Sequence, residues 1–265
     1  GMFGLLGPNG AGKSSLMRTL ATLQEADSGT ATLNDIDILN QPKELRKNLG
    51  YLPQEFGVYP RITAEQLLNH MAVLKGITNS RERKELVKYL LDKVNLYNKR
   101  NKNVKGFSGG MKQRVGIAQA LIGNPNLIIV DEPTAGLDPG ERNRFYNLLS
   151  EVGKDVIVIL STHIVDDIRE LCTKMAIMNE GQIVFQGNPQ NAIDELNGKV
   201  YQRIVTREEL DDFATNYAII SNKMVGGQPL IHVFSDTNPE NGFELVKPNL
   251  EDVFFSKINT SNALV

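Results

Sequence analysis

The chain opens on a short apolar run, Met2 to Leu6, that predicts a buried strand. It runs into a glycine-rich turn, Gly7-Pro8-Asn9-Gly10-Ala11-Gly12, and then into residues 13 to about 24, where Leu16, Leu20 and Leu23 recur at helical spacing. Helices dominate the next stretch. Thr63 is a cap for a helix reaching Leu74, with Gly76 as its stop. Residues 81–96 form a helix charged on one side and apolar at Leu86, Leu90 and Val94, and a third helix starts near Gly109 and ends at Gly123-Asn124-Pro125. Leu127 to Val130 is uniformly apolar, as a strand covered on both faces must be. Asp138-Pro139-Gly140-Glu141 reads as a helix start, with an acceptor at the cap, proline in the first turn and glutamate behind it. That helix runs to about Val152. A second buried strand follows at Val156–Leu160, then a helix from about 164 to 172, and short strands near 174–179 and 182–186 around a turn at Glu180-Gly181.

Apolar strands separated by helices predict an α/β fold with a mostly parallel core sheet covered on both faces. The all-helical stretch, about 57–124, reads as a subdomain inserted into a domain covering residues 1–195. Beyond it the composition shifts. Alternation at Tyr201–Val205 and Leu230–Phe234, with a helical tail at Leu250–Ile258, predicts a small α+β extension over 196–265.

Composition narrows the function. Of 265 residues, 41% are hydrophobic and 23% charged, which excludes a wholly disordered or fibrous chain. The 29 Lys and Arg nearly cancel 31 Asp and Glu, leaving no basic footprint of a dedicated nucleic-acid binder. The one cysteine, Cys172, forbids an internal disulfide and fits a cytoplasmic setting. The longest aliphatic runs are too short to span a bilayer, so any work at a membrane requires another chain to span it.

Two motifs carry chemistry. Gly7-x-x-x-x-Gly12-Lys13-Ser14 matches a phosphate-binding loop: glycines turn successive N–H groups inward, and the following helix adds its positive end. Lys13 can reach the β- and γ-phosphates, and the Ser14 hydroxyl can ligate Mg²⁺. Gly7, Pro8, Asn9, Gly10, Ala11, Gly12, Lys13, Ser14 and Ser15 are therefore the expected nucleotide contacts. The strand Leu127–Val130 then delivers Asp131 and Glu132 to its C-terminal edge, where parallel sheets bind ligands. Asp131 is placed to hold Mg²⁺ and Glu132 to orient or deprotonate an attacking water. Taken alone, an acidic pair at a strand end is equally a solvated turn.

A third motif, Phe107-Ser108-Gly109-Gly110-Met111-Lys112-Gln113-Arg114, resembles the signature of ABC-type ATPases. The motif order is similar to that family's over residues 2 to about 190: phosphate loop, Gln54, signature, Asp131-Glu132, Ala135-Gly136-Leu137-Asp138, His163. The resemblance implies a P-loop ABC-ATPase fold in which two nucleotide-binding domains, identical or different, pack head to tail around two ATP molecules. It implies that Ser108 and Gly110 of one subunit contact the γ-phosphate held by the other, with Gly109 between them also binding nucleotide. Gln54 would touch Mg²⁺ and the water, His163 the γ-phosphate, and Asp138 the opposite site across the interface. Gln54 by itself is equally a loop glutamine, His163 a core histidine and Asp138 a helix cap. The signature departs from the family at Phe107, usually leucine, and Met111, usually glutamine. Family members begin with strands carrying an adenine-stacking aromatic. This sequence starts after them, so an N-terminally truncated antiparallel β-subdomain is expected.

Apolar and aromatic residues in Glu55-Phe56-Gly57-Val58-Tyr59-Pro60 read either as a docking groove for a separate transmembrane permease or as packing beneath the helical subdomain. The tail Asn249-Leu250-Glu251-Asp252-Val253-Phe254-Phe255 resembles the closing helix of ATPase subunits in the drug, lipid, polysaccharide and haem exporter group. The implied protein is an ATP-hydrolysing subunit on the cytoplasmic face of a membrane. Two other readings stay open: an ABC ATPase without a membrane partner, and a nucleotide-gated binding module with little turnover. Against the first stand the single cassette and the short span from Lys13 to Ser108.

Overall fold

The computed structural model describes residues 1–54, 57 and 61–262. The chain divides into two compact units, one of residues 1–5 and 12–163 and the other of residues 6–11 and 164–265.

In the first unit, β1 (Met2–Leu6) precedes α1 (Lys13–Leu20), a short hairpin of β2 (Thr32–Leu33) and β3 (Ile36–Asp37), α2 (Pro42–Asn48) and β4 (Leu49–Leu52). Helices α3 (Ala64–Leu74), α4 (Ser80–Lys93) and α5 (Gly109–Ala120) follow, then β5 (Leu127–Asp131), α6 (Pro139–Val152) and β6 (Ile157–Thr162). The strands lie in the order β4-β5-β6-β1. β4, β5 and β6 run parallel, with Leu52 beside Val130 and Asp131 beside Ser161. Every residue of β5 is buried, as its unbroken apolar run requires.

Four α-helix starts in this unit have a side chain that caps them. Thr63 and Gln66 form a reciprocal capping box on α3. Asn79, Ser108 and Asp138 accept N–H groups at the starts of α4, α5 and α6. Helix α1 is shorter than its periodicity predicts: it stops at Leu20, and Thr22 takes a left-handed φ of 59°. Gly50 lets α5 close on β4, because a Cβ there would overlap the Ala120 carbonyl oxygen. At the end of α3, Lys75 Nζ donates to the Arg46 and Leu49 carbonyls at 2.7 and 2.8 Å, and burial lowers its pKa.

The second unit contains α7 (Val165–Leu171), β7 (Lys174–Asn179), β8 (Gln182–Gly187), α8 (Pro189–Asp194), β9 (Val200–Ile204) and α9 (Leu210–Asn216). It ends with β10 (Ile219–Val225), β11 (Gln228–Phe234), β12 (Glu244–Leu245) and α10 (Leu250–Asn262). Two tight hairpins, β7-β8 and β10-β11, turn on Glu180-Gly181 and Gly226-Gly227, all four residues having positive φ. Strands β10-β11-β9-β12 form an antiparallel sheet. Its core is Tyr201, Val205, Ile231, Val233 and Phe243, covered by Phe213 and Tyr217, whose rings stack at 5.3 Å. Helix α10 contacts α7, α8, β7, β8 and β10. Its start is a second reciprocal box: Asn249 Oδ1 accepts the Asp252 N–H at 3.1 Å, and Asp252 Oδ2 accepts the Asn249 N–H at 2.9 Å. No helix among the described residues is long and apolar enough to cross a membrane.

Candidate active site

Parallel strands end together, so the residues that follow them share one sheet edge. Gln54 lies just past β4, Glu132 just past β5 and His163 just past β6. Their side chains meet on the Glu132 carboxylate. Gln54 Nε2 donates to Oε2 at 3.0 Å. His163 Nδ1 lies 3.2 Å from Oε1, and Lys13 Nζ, at the start of α1, lies 3.6 Å from the same oxygen. Lys13 and Glu132 are both buried. Glu132 has φ +45°, a left-handed conformation that costs a non-glycine residue roughly 1–2 kcal/mol. Its N–H donates to the Ser161 carbonyl at 2.8 Å, which holds that conformation in place.

Asp131 sits one residue earlier, buried at the end of β5. Its Oδ1 and the Oγ of Ser161 beside it are buried without a hydrogen-bond partner among the described residues. A buried carboxylate oxygen left without a donor is costly, and a hard cation satisfies it. The oxygen-donor set of Ser14, Gln54 and Asp131 therefore fits Mg²⁺ in chemistry. Asp131 also acts at longer range: burial and then its negative charge raise the Tyr51 pKa, with Arg18 opposing.

The glycine loop has the conformations its sequence implies. Gly10 and Gly12 take φ of +84° and +101°, which residues with a Cβ adopt only under strain. The Ala11 N–H donates to the Pro8 carbonyl at 3.2 Å, and the Ala11 carbonyl accepts from Gly181 at 2.9 Å. Gly12 caps α1 without a side-chain hydrogen bond, and Lys13, Ser14 and Ser15 are the first helical residues, at the positive end of the helix that favours an anion.

A second set of predicted residues gathers elsewhere in the first unit. Ser108 and Gly109 are exposed at the start of α5, where Ser108 Oγ accepts the Met111 N–H at 3.3 Å. Asp138 caps α6, its Oδ1 accepting the Glu141 N–H at 2.9 Å. Glu141 is not among the sequence-predicted site residues, yet it packs directly beneath Gly110. Its contact with Arg114 crosses 27 residues of sequence, and only its place three residues after a helix cap marks it beforehand. The loop residues Phe56 and Tyr59, expected at a docking groove, lie outside the described residues.

The model of the family described as ABC transporter matches residues 1–135. The Nod factor export ATP-binding protein I of Rhizobium etli is 34% identical over 95% of this chain and 83% of its own length. The probable multidrug ABC transporter ATP-binding protein YbhF of Escherichia coli is 32% identical over 95% of this chain, which spans 46% of that relative. A solved ATP binding subunit of an ABC transporter superposes with a TM-score of 0.63 at 28% identity, over 73% of this chain and 81% of that one. The dimeric bacterial cassette MJ0796 gives a TM-score of 0.64 at 24% identity, over 71% of this chain and 84% of that one, and so shares the fold. With its motifs in family order and its strand ends converging on Glu132, the chain belongs to the ABC transporter family.

Proposed function

We propose that this chain is the ATP-hydrolysing subunit of an ABC exporter, working as a head-to-tail pair of ATPase domains coupled to a separate transmembrane subunit. The observation that carries the reading is the convergence of Lys13, Gln54 and His163 on the Glu132 carboxylate. Phosphate oxygens are stronger acceptors for Lys13 and His163 than a shared carboxylate is. An arriving γ-phosphate takes over those donors and frees Glu132 for water. Water then attacks the γ-phosphorus, the bond to ADP breaks, and the water's proton passes to Glu132. Lys13, His163 and the partner's signature turn stabilise the charge that develops on the transferring group. Ser14, Gln54 and Asp131 would hold Mg²⁺, which when bound neutralises phosphate charge. The exporter assignment and the membrane partner rest on the resemblance of the tail and on the export and multidrug names of the relatives.

The test is light scattering on Glu132→Gln with and without Mg-ATP, alongside steady-state hydrolysis by the unaltered chain. An ATP-dependent dimer and measurable turnover are expected. Binding without turnover in the unaltered chain would instead establish a nucleotide-gated module.

A further inference from the structure

We infer that Glu141 and Arg114 are positioning residues that lock the Ser108–Gly110 turn to the Asp138 loop, making one rigid surface for the partner's nucleotide. This rests on the proposed head-to-tail reading, in which both elements act on the opposite site.

The contacts form a closed set. The Glu141 N–H donates to Asp138 Oδ1 at 2.9 Å, so its backbone belongs to the Asp138 cap. Its carboxylate reaches the other way: Oε2 lies 3.3 Å from Arg114 Nη2 and Oε1 lies 2.6 Å from Arg144 Nη1. Arg114 in turn holds the signature helix. Its Nε donates to the Gly110 carbonyl at 3.3 Å and its Nη1 to the Val94 carbonyl at 3.4 Å. The guanidinium therefore ties the signature turn, the end of α4 and Glu141 together.

Steric fit agrees with the polar contacts. A Cβ on Gly110 would overlap the Glu141 carboxylate and lie 2.9 Å from its Cβ, and one on Gly109 would lie 3.4 Å from Leu137 Cδ2. Gly110 is thus also a packing glycine, pressed onto Glu141, while Gly109 leaves room for ordinary contact with Leu137. The pair is shielded, with Arg114 12% and Glu141 15% exposed, so its charges are costly to leave unmatched and confine each other's geometry. Neither side chain belongs to the cluster on Glu132. Their effect is therefore expected on the face offered to a partner and not on nucleotide held by the same chain.

The experiment is done in the Glu132→Gln background, where ATP is not consumed. Dimer dissociation constants are measured by light scattering in Mg-ATP, and ADP affinity by calorimetry, for Glu141→Ala, Glu141→Gln, Arg114→Met and the double variant Glu141→Ala/Arg114→Met. Glu141→Ala and Arg114→Met are expected to weaken the dimer about tenfold or more while ADP affinity stays unchanged. The double variant is expected to be no worse than either single one, because the pair acts as a unit. Glu141→Gln keeps the shape and an acceptor, so it restores part of the loss and decides the matter where Glu141→Ala lowers the unfolding midpoint. A dimer as tight as the parent's in every variant overturns the inference alone. ADP affinity and dimerisation falling together mark a general packing role and also overturn it. A parent that stays monomeric in Mg-ATP overturns the head-to-tail reading, and this inference with it.

Discussion

Glu132 and Asp252 are both buried carboxylates with a histidine Nδ1 beside them, 3.2 Å away in His163 and 2.7 Å away in His232. They differ in almost everything else. Asp252 is fully buried, lies in the first turn of α10 and is satisfied on both oxygens, by His232 and by the Asn249 N–H. The helix dipole favours its charge, and His232 stands in β11 with 7% of its side chain exposed. Glu132 sits on strained backbone, three side chains compete for its two oxygens, and its histidine is 38% exposed. A saturated, closed pair fastens a helix to a sheet. A crowded carboxylate with an open partner can exchange those donors for a ligand's. The histidine–carboxylate contact is common to both; access, backbone strain and spare donors separate the site from the fastening.

The comparison is most sharply tested by removing each acid. Glu132→Gln is expected to lower kcat by about 10²–10⁴-fold, the range of a lost general base, while leaving the unfolding midpoint near the parent's. Turnover at the parental rate would remove Glu132 from the chemistry. Asp252→Ala is expected to do the reverse, lowering unfolding free energy in urea by about 3 kcal/mol and leaving the kcat of folded protein intact. A loss of under about 1 kcal/mol would make the pair marginal.

Cys172 reports on the same loosening. Burial, and then the charge of Asp167, push its thiol up to about 12, so at pH 8 only about one molecule in 10⁴ carries the thiolate. Disulfide-exchange labelling of the native protein is therefore slow and rises with pH. Asp252→Ala, acting through α10 where it contacts α7, is expected to speed it. The smallest effect concerns strain: Glu132→Gly is expected to be more stable than Glu132→Ala by about 1 kcal/mol, because only glycine takes a positive φ freely. Equal stability of the two would mean that Glu132 stores no backbone strain.

Much of the first unit was legible in sequence because its signals are local. The caps at Thr63 and Asp138, the helix start at Gly109 and the apolar run into Asp131 stand where periodicity and cap chemistry predict. Elements with weak local signals escaped. Helix α2 buries a single residue, Leu45, among charged neighbours, so it has almost no apolar period. β4 is interrupted by Gly50, whose reason is the close approach of α5. β10 is largely exposed, and its pairing with β11 rather than its own pattern makes it a strand. The overlong expectation for α1 has the same root: Leu23 continues the helical spacing, but the chain has already turned at Thr22.

The sequence by itself determined the chemistry that neighbouring residues can complete. These are the glycine loop before Lys13, the acids closing a buried strand, and the helix starts, each an interaction spanning only a few positions. Tertiary structure decided which distant groups share an oxygen. Lys13, Gln54 and His163 reach Glu132 only because parallel register ends β4, β5 and β6 at one edge. Arg114 reaches Glu141, and His232 reaches Asp252, only through the packing of α5 on α6 and of the second unit's own elements. Such contacts depend on strand register and helix approach, where a slip of one residue turns a side chain to the opposite face.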